Sequence, residues 1–273
     1  MFDKKQFSRP VRESSPSNPK NYDTRRPPEK EMIFGIRAII EAIDAGKTLD
    51  KILLRRDMTS AIGKELLQKL QGTTTPVQKV PVEKLNRITR KNHQGVIAYI
   101  SAVEYASVDT LVPTLYEEGK VPFLVLLDGI TDVRNFGSIA RTCDCAGVDA
   151  IIIPSHNSVT VNADAVKTSA GALHVLPVCR EKNITETLKY LKASGIRIVC
   201  ATEKGKINYT QADFNEPVCV VMGAEDKGIP QEHLALCDDW VAIPQFGNIE
   251  SLNVSVATGV ILYEAVRQRH LND

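Results

Sequence analysis

A chain of 273 residues, 43% hydrophobic and 25% charged, has the length and apolar content of two globular units with cores of their own. Its longest apolar runs, 123–127 and 218–222, fall far short of the roughly 18 residues a membrane helix needs. No apolar stretch follows the charges of residues 1–5 in the manner of an export signal, so the expected location is the cytoplasm, with no membrane partner.

A net charge of +1 does not announce a nucleic-acid binder. The six cysteines include no C-x-x-C pair and no nearby histidine pair, so no metal site is expected and they read as reduced thiols. Residues 1–30 hold eight Lys or Arg and five of the fourteen prolines. Such a stretch buries too little apolar surface to offset its ordering entropy and reads as a disordered basic arm, open to phosphates or simply solvated. Behind it, apolar spacing predicts a helix over 33–43, a strand at 51–54, a helix over 62–70, a strand at 77–80, a short helix at 82–89 and a strand at 95–100. These compose a small α/β domain over 31–103, joined by a linker at 104–120 to a larger unit over 121–273.

In the larger unit, strands at 123–128, 149–154, 197–202, 219–223 and 240–244 alternate with helices near 135–146, 184–193, 230–237 and 251–269. Near-continuous apolar strands need cover on both faces, which predicts an α/β fold with a parallel, Rossmann-like sheet. Ligands of such sheets sit at the carboxyl ends of the strands, so chemistry is expected in the segments after 128, 223 and 244.

Three segments carry that chemistry. In the first, Asn135 is placed to cap the following helix, and Arg141, six residues on, is placed to hold a phosphate or a developing alkoxide; an N-cap beside a surface arginine is the plainer reading. In the second, Gly223 ends a buried strand where a ligand can approach the backbone, and Glu225 follows it into the same mouth, although a lone G-x-E is often only a turn. In the third, a Gly-Asn loop leads through Ser251 and Asn253 into a helix that is apolar on nearly every side, and such a helix must be buried in a core or an oligomer interface. Ser251 also reads as that helix's N-cap. No G-x-G-x-x-G and no Walker sequence is present, so dinucleotide and nucleotide-triphosphate readings have no motif.

In their order, NFGSIART, VMGAEDKGIP and IPQFGNIESLNVSVATGVILYEAVRQR resemble the three motifs of the SpoU/TrmH family of knotted RNA 2′-O-ribose methyltransferases, over residues 121–269. The nearest likeness is to members that methylate a guanosine ribose in bacterial large-subunit ribosomal RNA. The segment HQGVIA at 93–98 is similar to the end of the family's small substrate-binding domain, which resembles ribosomal RNA-binding proteins in fold.

The resemblance implies a deep trefoil knot, S-adenosylmethionine as cofactor, a ribosomal RNA substrate and a homodimer joined through the last helix. It implies a cofactor pocket at Thr202, Gly223, Ile243 and Leu252, and catalytic positions at Asn135, Arg141, Glu225, Ser251 and Asn253. A guanidinium is in effect always protonated, so Arg141 suits phosphate orientation and alkoxide stabilisation better than base catalysis. Two departures stand beside the match: Asp226 where many relatives carry Gly, and Cys143 and Cys145 where small apolar residues are common. A transfer RNA target and a non-catalytic RNA-binding or ribosome-assembly role are the rival expectations. Retention of Arg141, Gly223 and Asn253 argues against the second.

Overall fold

Residues 32–249 and 251–270 are described by the computed structural model; the basic arm expected at 1–30 lies outside them. The front domain runs β1 (Met32–Phe34), α1 (Ile36–Asp44), β2 (Leu49–Arg55), α2 (Ala61–Lys69), β3 (Val77–Val80), α3 (Val82–Ile88) and β4 (Val96–Ile100). Its sheet has the order β1-β4-β2-β3, with β2 and β3 parallel and the other pairs antiparallel. Alternation along β2 divides the core. Ile52 and Leu54 face α1 and α2 with Ile39, Ile40 and Leu66, while Leu53 faces Leu85 of α3.

The next segment differs from the expected linker. Residues 105–117 form β5 (Tyr105–Ala106), which pairs with the edge of the larger sheet, and α4 (Val108–Glu117), which buries Val108, Val112 and Leu115 against it. Those positions are spaced i, i+4, i+7, one face of a helix.

The larger unit continues as β6 (Phe123–Asp128), α5 (Val133–Cys145), β7 (Ala150–Pro154), α6 (Ala163–Thr168), β8 (Val178–Glu181), α7 (Ile184–Ala193), β9 (Arg197–Ala201), β10 (Ile207–Asn208), β11 (Val218–Gly223), α8 (Gln231–Leu234), β12 (Asp239–Ala242) and α9 (Val254–Arg269). Its eight strands pair in parallel throughout, in the order β10-β12-β9-β11-β6-β7-β8-β5. All six residues of β6 are buried because both faces are covered, as its unbroken apolar run requires. Phe123, Val125 and Leu127 pack under α5 and α9; Leu124 and Leu126 pack under α4 and α7.

Two helix starts differ from expectation. The cap of α5 is Asp132, whose carboxylate accepts from the backbone N–H of Arg134 and Asn135, so Asn135 lies inside the first turn. The cap of α9 is Asn253, which accepts from Ser255 N, and Ser251 stands outside the helix. The all-round apolar pattern of α9 is only partly buried: Ile261, Leu262 and Ala265 are fully enclosed, while Val256 and Tyr263 face outward. No helix among the described residues is long and apolar enough to cross a membrane.

Candidate active site

Loops leaving the carboxyl ends of β9, β11 and β12 enclose a cleft of about 650 Å³, closed on one side by residues 251–254 at the head of α9. Thr202, Gly223, Ile243 and Leu252 all line it, and so do Glu225, Ser251 and Asn253. Its walls are largely aliphatic, from Ala201, Met222, Val241 and Ala257, with a few polar groups at the rim. That volume and lining suit a nucleoside-sized ligand.

A hydrogen-bonded cluster joins the three motifs at the rim. Asn135 Nδ2 donates to Glu225 Oε1 at 2.9 Å, and Asn253 Nδ2 donates to the same oxygen at 2.8 Å and to Asn135 Oδ1 at 3.1 Å. Val254 N adds a longer bond to Glu225 Oε1 at 3.4 Å. Among the described residues Glu225 Oε2 has no hydrogen-bond partner, so one carboxylate oxygen is left for an incoming donor. Asn253 Oδ1 meanwhile accepts from Ser255 N and Ser255 Oγ, so a single amide both caps α9 and spans the other two motifs.

Gly223 owes its identity to the chain rather than to ligand access alone. A Cβ there would meet Gly228 C at 2.4 Å and Ile229 N at 2.5 Å, because the loop after β11 doubles back across it. That loop is closed by Gly228 N donating to Ala224 O at 2.8 Å, and Gly228 takes a left-handed φ of 65° that favours glycine. Gly137 serves α5 likewise: a Cβ would stand 2.6 Å from Thr168 Cβ, so α6 packs directly on its backbone.

Arg141 is not part of the cluster. Six helical residues rotate it roughly 120° away from Asn135; it is exposed, does not line the cleft, and has no hydrogen bond or ion pair among the described residues.

Beneath the cluster lies a pair the sequence reading did not single out. His233 Nδ1 of α8 stands 2.6 Å from Asp128 Oδ2, both residues under 10% exposed. Asp128 ends β6 in register with Gly223, so the pair ties α8 beneath the doubled-back loop. The signal was an acid closing the otherwise apolar FLVLLD strand, since buried carboxylates are almost always paired. No cluster of His, Cys, Asp or Glu among the described residues has the geometry of a metal site.

Residues 122–263 match the SpoU rRNA Methylase family, and residues 32–106 match the RNA 2'-O ribose methyltransferase substrate-binding family. The chain is 36% identical over 242 residues to a putative TrmH family tRNA/rRNA methyltransferase of Staphylococcus saprophyticus, covering 89% of this chain and 97% of that protein. Its fold is similar to the SpoU methyltransferase AviRb of Streptomyces viridochromogenes solved with AdoMet, at 28% identity and a TM-score of 0.56, covering 87% of this chain and 89% of that one. It is also similar to an AdoMet-bound rRNA methyltransferase of Sinorhizobium meliloti, at 27% identity and a TM-score of 0.55, covering 86% of each. The two sequence domains, the parallel sheet and the three-motif cluster agree: this chain belongs to the SpoU family of S-adenosylmethionine-dependent RNA methyltransferases.

Proposed function

We propose that this enzyme methylates the ribose 2′-hydroxyl of a guanosine in large-subunit ribosomal RNA. The observation that carries the reading is the Asn135–Glu225–Asn253 cluster at the mouth of a nucleoside-sized cleft. Thr202, Gly223, Ile243 and Leu252 hold the cofactor, their backbone groups and aliphatic surfaces suiting an adenosine. The sulfonium of S-adenosylmethionine supplies a methyl group already activated for transfer. What the chain adds is alignment.

A ribose hydroxyl is a poor nucleophile at neutral pH, so it must be oriented and its developing charge met by donors. Glu225 Oε2 accepts from that hydroxyl, while the amides of Asn135 and Asn253 fix the carboxylate from behind. Ser251 stands on the rim as a further polar contact. Arg141, exposed and permanently charged, takes an RNA phosphate and so holds the ribose in register. The front domain, none of whose residues lines the cleft, supports a large structured RNA as substrate.

Two architectural features belong to the same reading. The outward Val256 and Tyr263 of α9 support a homodimer through that helix. The insertion of β11 between β9 and β6, with the backbone of Val241 lying 2.3 Å from a Cβ built on Gly205, supports a knotted thread of the final strands.

The test is methyl transfer from labelled cofactor to unmodified ribosomal RNA, followed by nuclease mapping. Label on one 2′-O-methylguanosine of the large-subunit RNA is expected; label on transfer RNA would keep the chemistry and overturn the substrate. Arg141→Ala should keep its cofactor Kd and lose turnover on the order of 10²-fold. An equal loss of cofactor affinity would contradict the phosphate role.

A further inference from the structure

We infer that the groove between the front domain and the loop after β7 seats a single-stranded stretch of the substrate RNA, with Lys51 and Lys84 on its phosphates and Tyr99 under a base. The inference rests on the RNA methyltransferase reading and names where that RNA lies.

The front domain has two faces of different charge. Residues 79–91, which include α3, carry Lys79, Lys84, Arg87, Arg90 and Lys91 against a single acid, Glu83. The α1 and α2 face mixes Arg37, Lys64 and Lys69 with Glu41, Asp44 and Glu65. Only the first has the one-signed character that draws a polyanion. On that face the sheet register sets Lys51 beside Tyr99, and Tyr99 beside Met32. The seven-residue α3 covers Leu53, Val80 and Ile97 through Leu85 and leaves Lys51 and Tyr99 only half-buried.

Lys51 sits where a cation is costly. Burial and then the neighbouring Lys84 ammonium lower its affinity for a proton, outweighing the opposite pull of Asp50, and neither lysine forms an ion pair among the described residues. Two amines that repel each other, Lys51 in the wall of a groove and Lys84 beside it, are neutralised by an anion such as a phosphate. Tyr99, across from Lys51 on the neighbouring strand and half-exposed, offers the stacking surface that unpaired bases use.

The opposite wall belongs to the catalytic domain. The groove, about 230 Å³, is lined by Lys51 and Gln78 on one side and by residues 154–160 on the other, with the Asp50 and Arg180 pair at its base. In that loop the Ser158 hydroxyl is shielded without any hydrogen-bond partner, a state that buried polar groups rarely keep. The loop leaves the carboxyl end of β7, two strands along from β11, so the groove opens on the same sheet edge as the cofactor cleft. Between the two lies a further open hollow of mixed charge, where Arg134 and Lys167 stand with Asp132 and Asp164. Groove and cleft thus open side by side along one sheet edge, and an RNA strand lying in the first reaches the second along it.

The test uses the full chain, fluorescence anisotropy with a labelled single-stranded oligouridine and with unmodified ribosomal RNA, and a salt titration. Lys51→Glu with Lys84→Glu should weaken binding to both RNAs by roughly tenfold or more. It should also flatten the salt slope by about 1.4, the release expected from two phosphates on single-stranded RNA. Cofactor affinity and melting temperature should not move. Tyr99→Leu should weaken binding severalfold at an unchanged slope, and Arg37→Glu with Lys64→Glu on the other face should bind within twofold of the parent. Unchanged binding by the Lys51/Lys84 variant, or an equal loss from the Arg37/Lys64 variant, would overturn the groove while leaving the enzyme reading intact. A parent chain that binds neither RNA would sink both.

Discussion

Gly223 shows how a single residue can serve a site by what it lacks. Its hydrogen faces the backbone of Gly228 and Ile229, so the loop carrying Glu225 can fold back only over a glycine. Gly223→Ala should therefore lower the melting temperature and weaken cofactor binding together, measured by thermal unfolding and by titration calorimetry. A loss of cofactor affinity at unchanged melting temperature would instead make ligand approach the whole reason for the glycine. The sequence singled out Asn135, Glu225 and Asn253, which bond to one another, and Thr202, Gly223, Ile243 and Leu252, which line the cleft, while Arg141 stands apart from both groups. Their bonding was not legible there. Asp132 and Asn135 are both good N-cap types, and only the observed helix start decides that Asp132 caps while Asn135 is freed to reach Glu225. The rotation of Arg141 away from Asn135 follows from helix geometry and was readable from the six-residue spacing once α5 was known to include both.

Strands declared themselves where burial on both faces leaves an unbroken apolar run, as in β6 and β11, whose central positions are all enclosed. Elements that depend on distant partners stayed hidden. The charged Arg180 interrupts β8, β5 has two residues, α6 has six, and Pro113 inside α4 masks the Val108, Val112 and Leu115 face. The helix α9 is anchored at its far end by Arg269, which donates to the carbonyls of Phe214, Glu216 and Val121, an arrangement no local pattern encodes. The strand interiors also govern thiol chemistry. Burial pushes the Cys179 and Cys219 thiols up to about 12, and Cys143 of α5 is equally enclosed. In the native protein at neutral pH, Cys145 should react first with a thiol reagent and Cys237 more slowly, with Cys143, Cys179, Cys200 and Cys219 silent until denaturation. Rapid native labelling of Cys219 would mean that the central strands open far more readily than their packing allows.

At the scale of the whole molecule, the two domains meet around one buried cation. Arg180 of β8 donates to Asp50 O at 3.1 Å and Leu49 O at 3.0 Å, both in β2 of the front domain, and its guanidinium lies 3.8 Å from the centre of the Tyr105 ring. Tyr105 in turn donates to Asp50 Oδ1 at 2.6 Å. Burial raises the Asp50 carboxyl above its ordinary range, against the opposing pull of Tyr105 and Arg180. Arg180→Met takes the cation from beside that carboxyl and leaves two buried carbonyls without their donor, and should cost about 3–5 kcal/mol in chemical unfolding. It should also let the domains melt separately in calorimetry; a single transition with parental stability would show the junction to be ornamental. None of this was legible in the sequence, since the hydrogen-bond partners of Arg180 lie 105 to 131 positions away.

The two-residue strand β5 carries a mechanical consequence. The chain leaves the small sheet at Ile100 and by Tyr105 is already a strand of the large one, so the passage between domains is stitched into the second sheet rather than slung across a joint. Such a frame has the build of a calliper: a substrate gripped by the front domain would be held at a set reach from the methyl-donating cleft. On the proposed function, target choice would follow distance along the RNA, from the stretch held by the front domain to the ribose presented at the cleft.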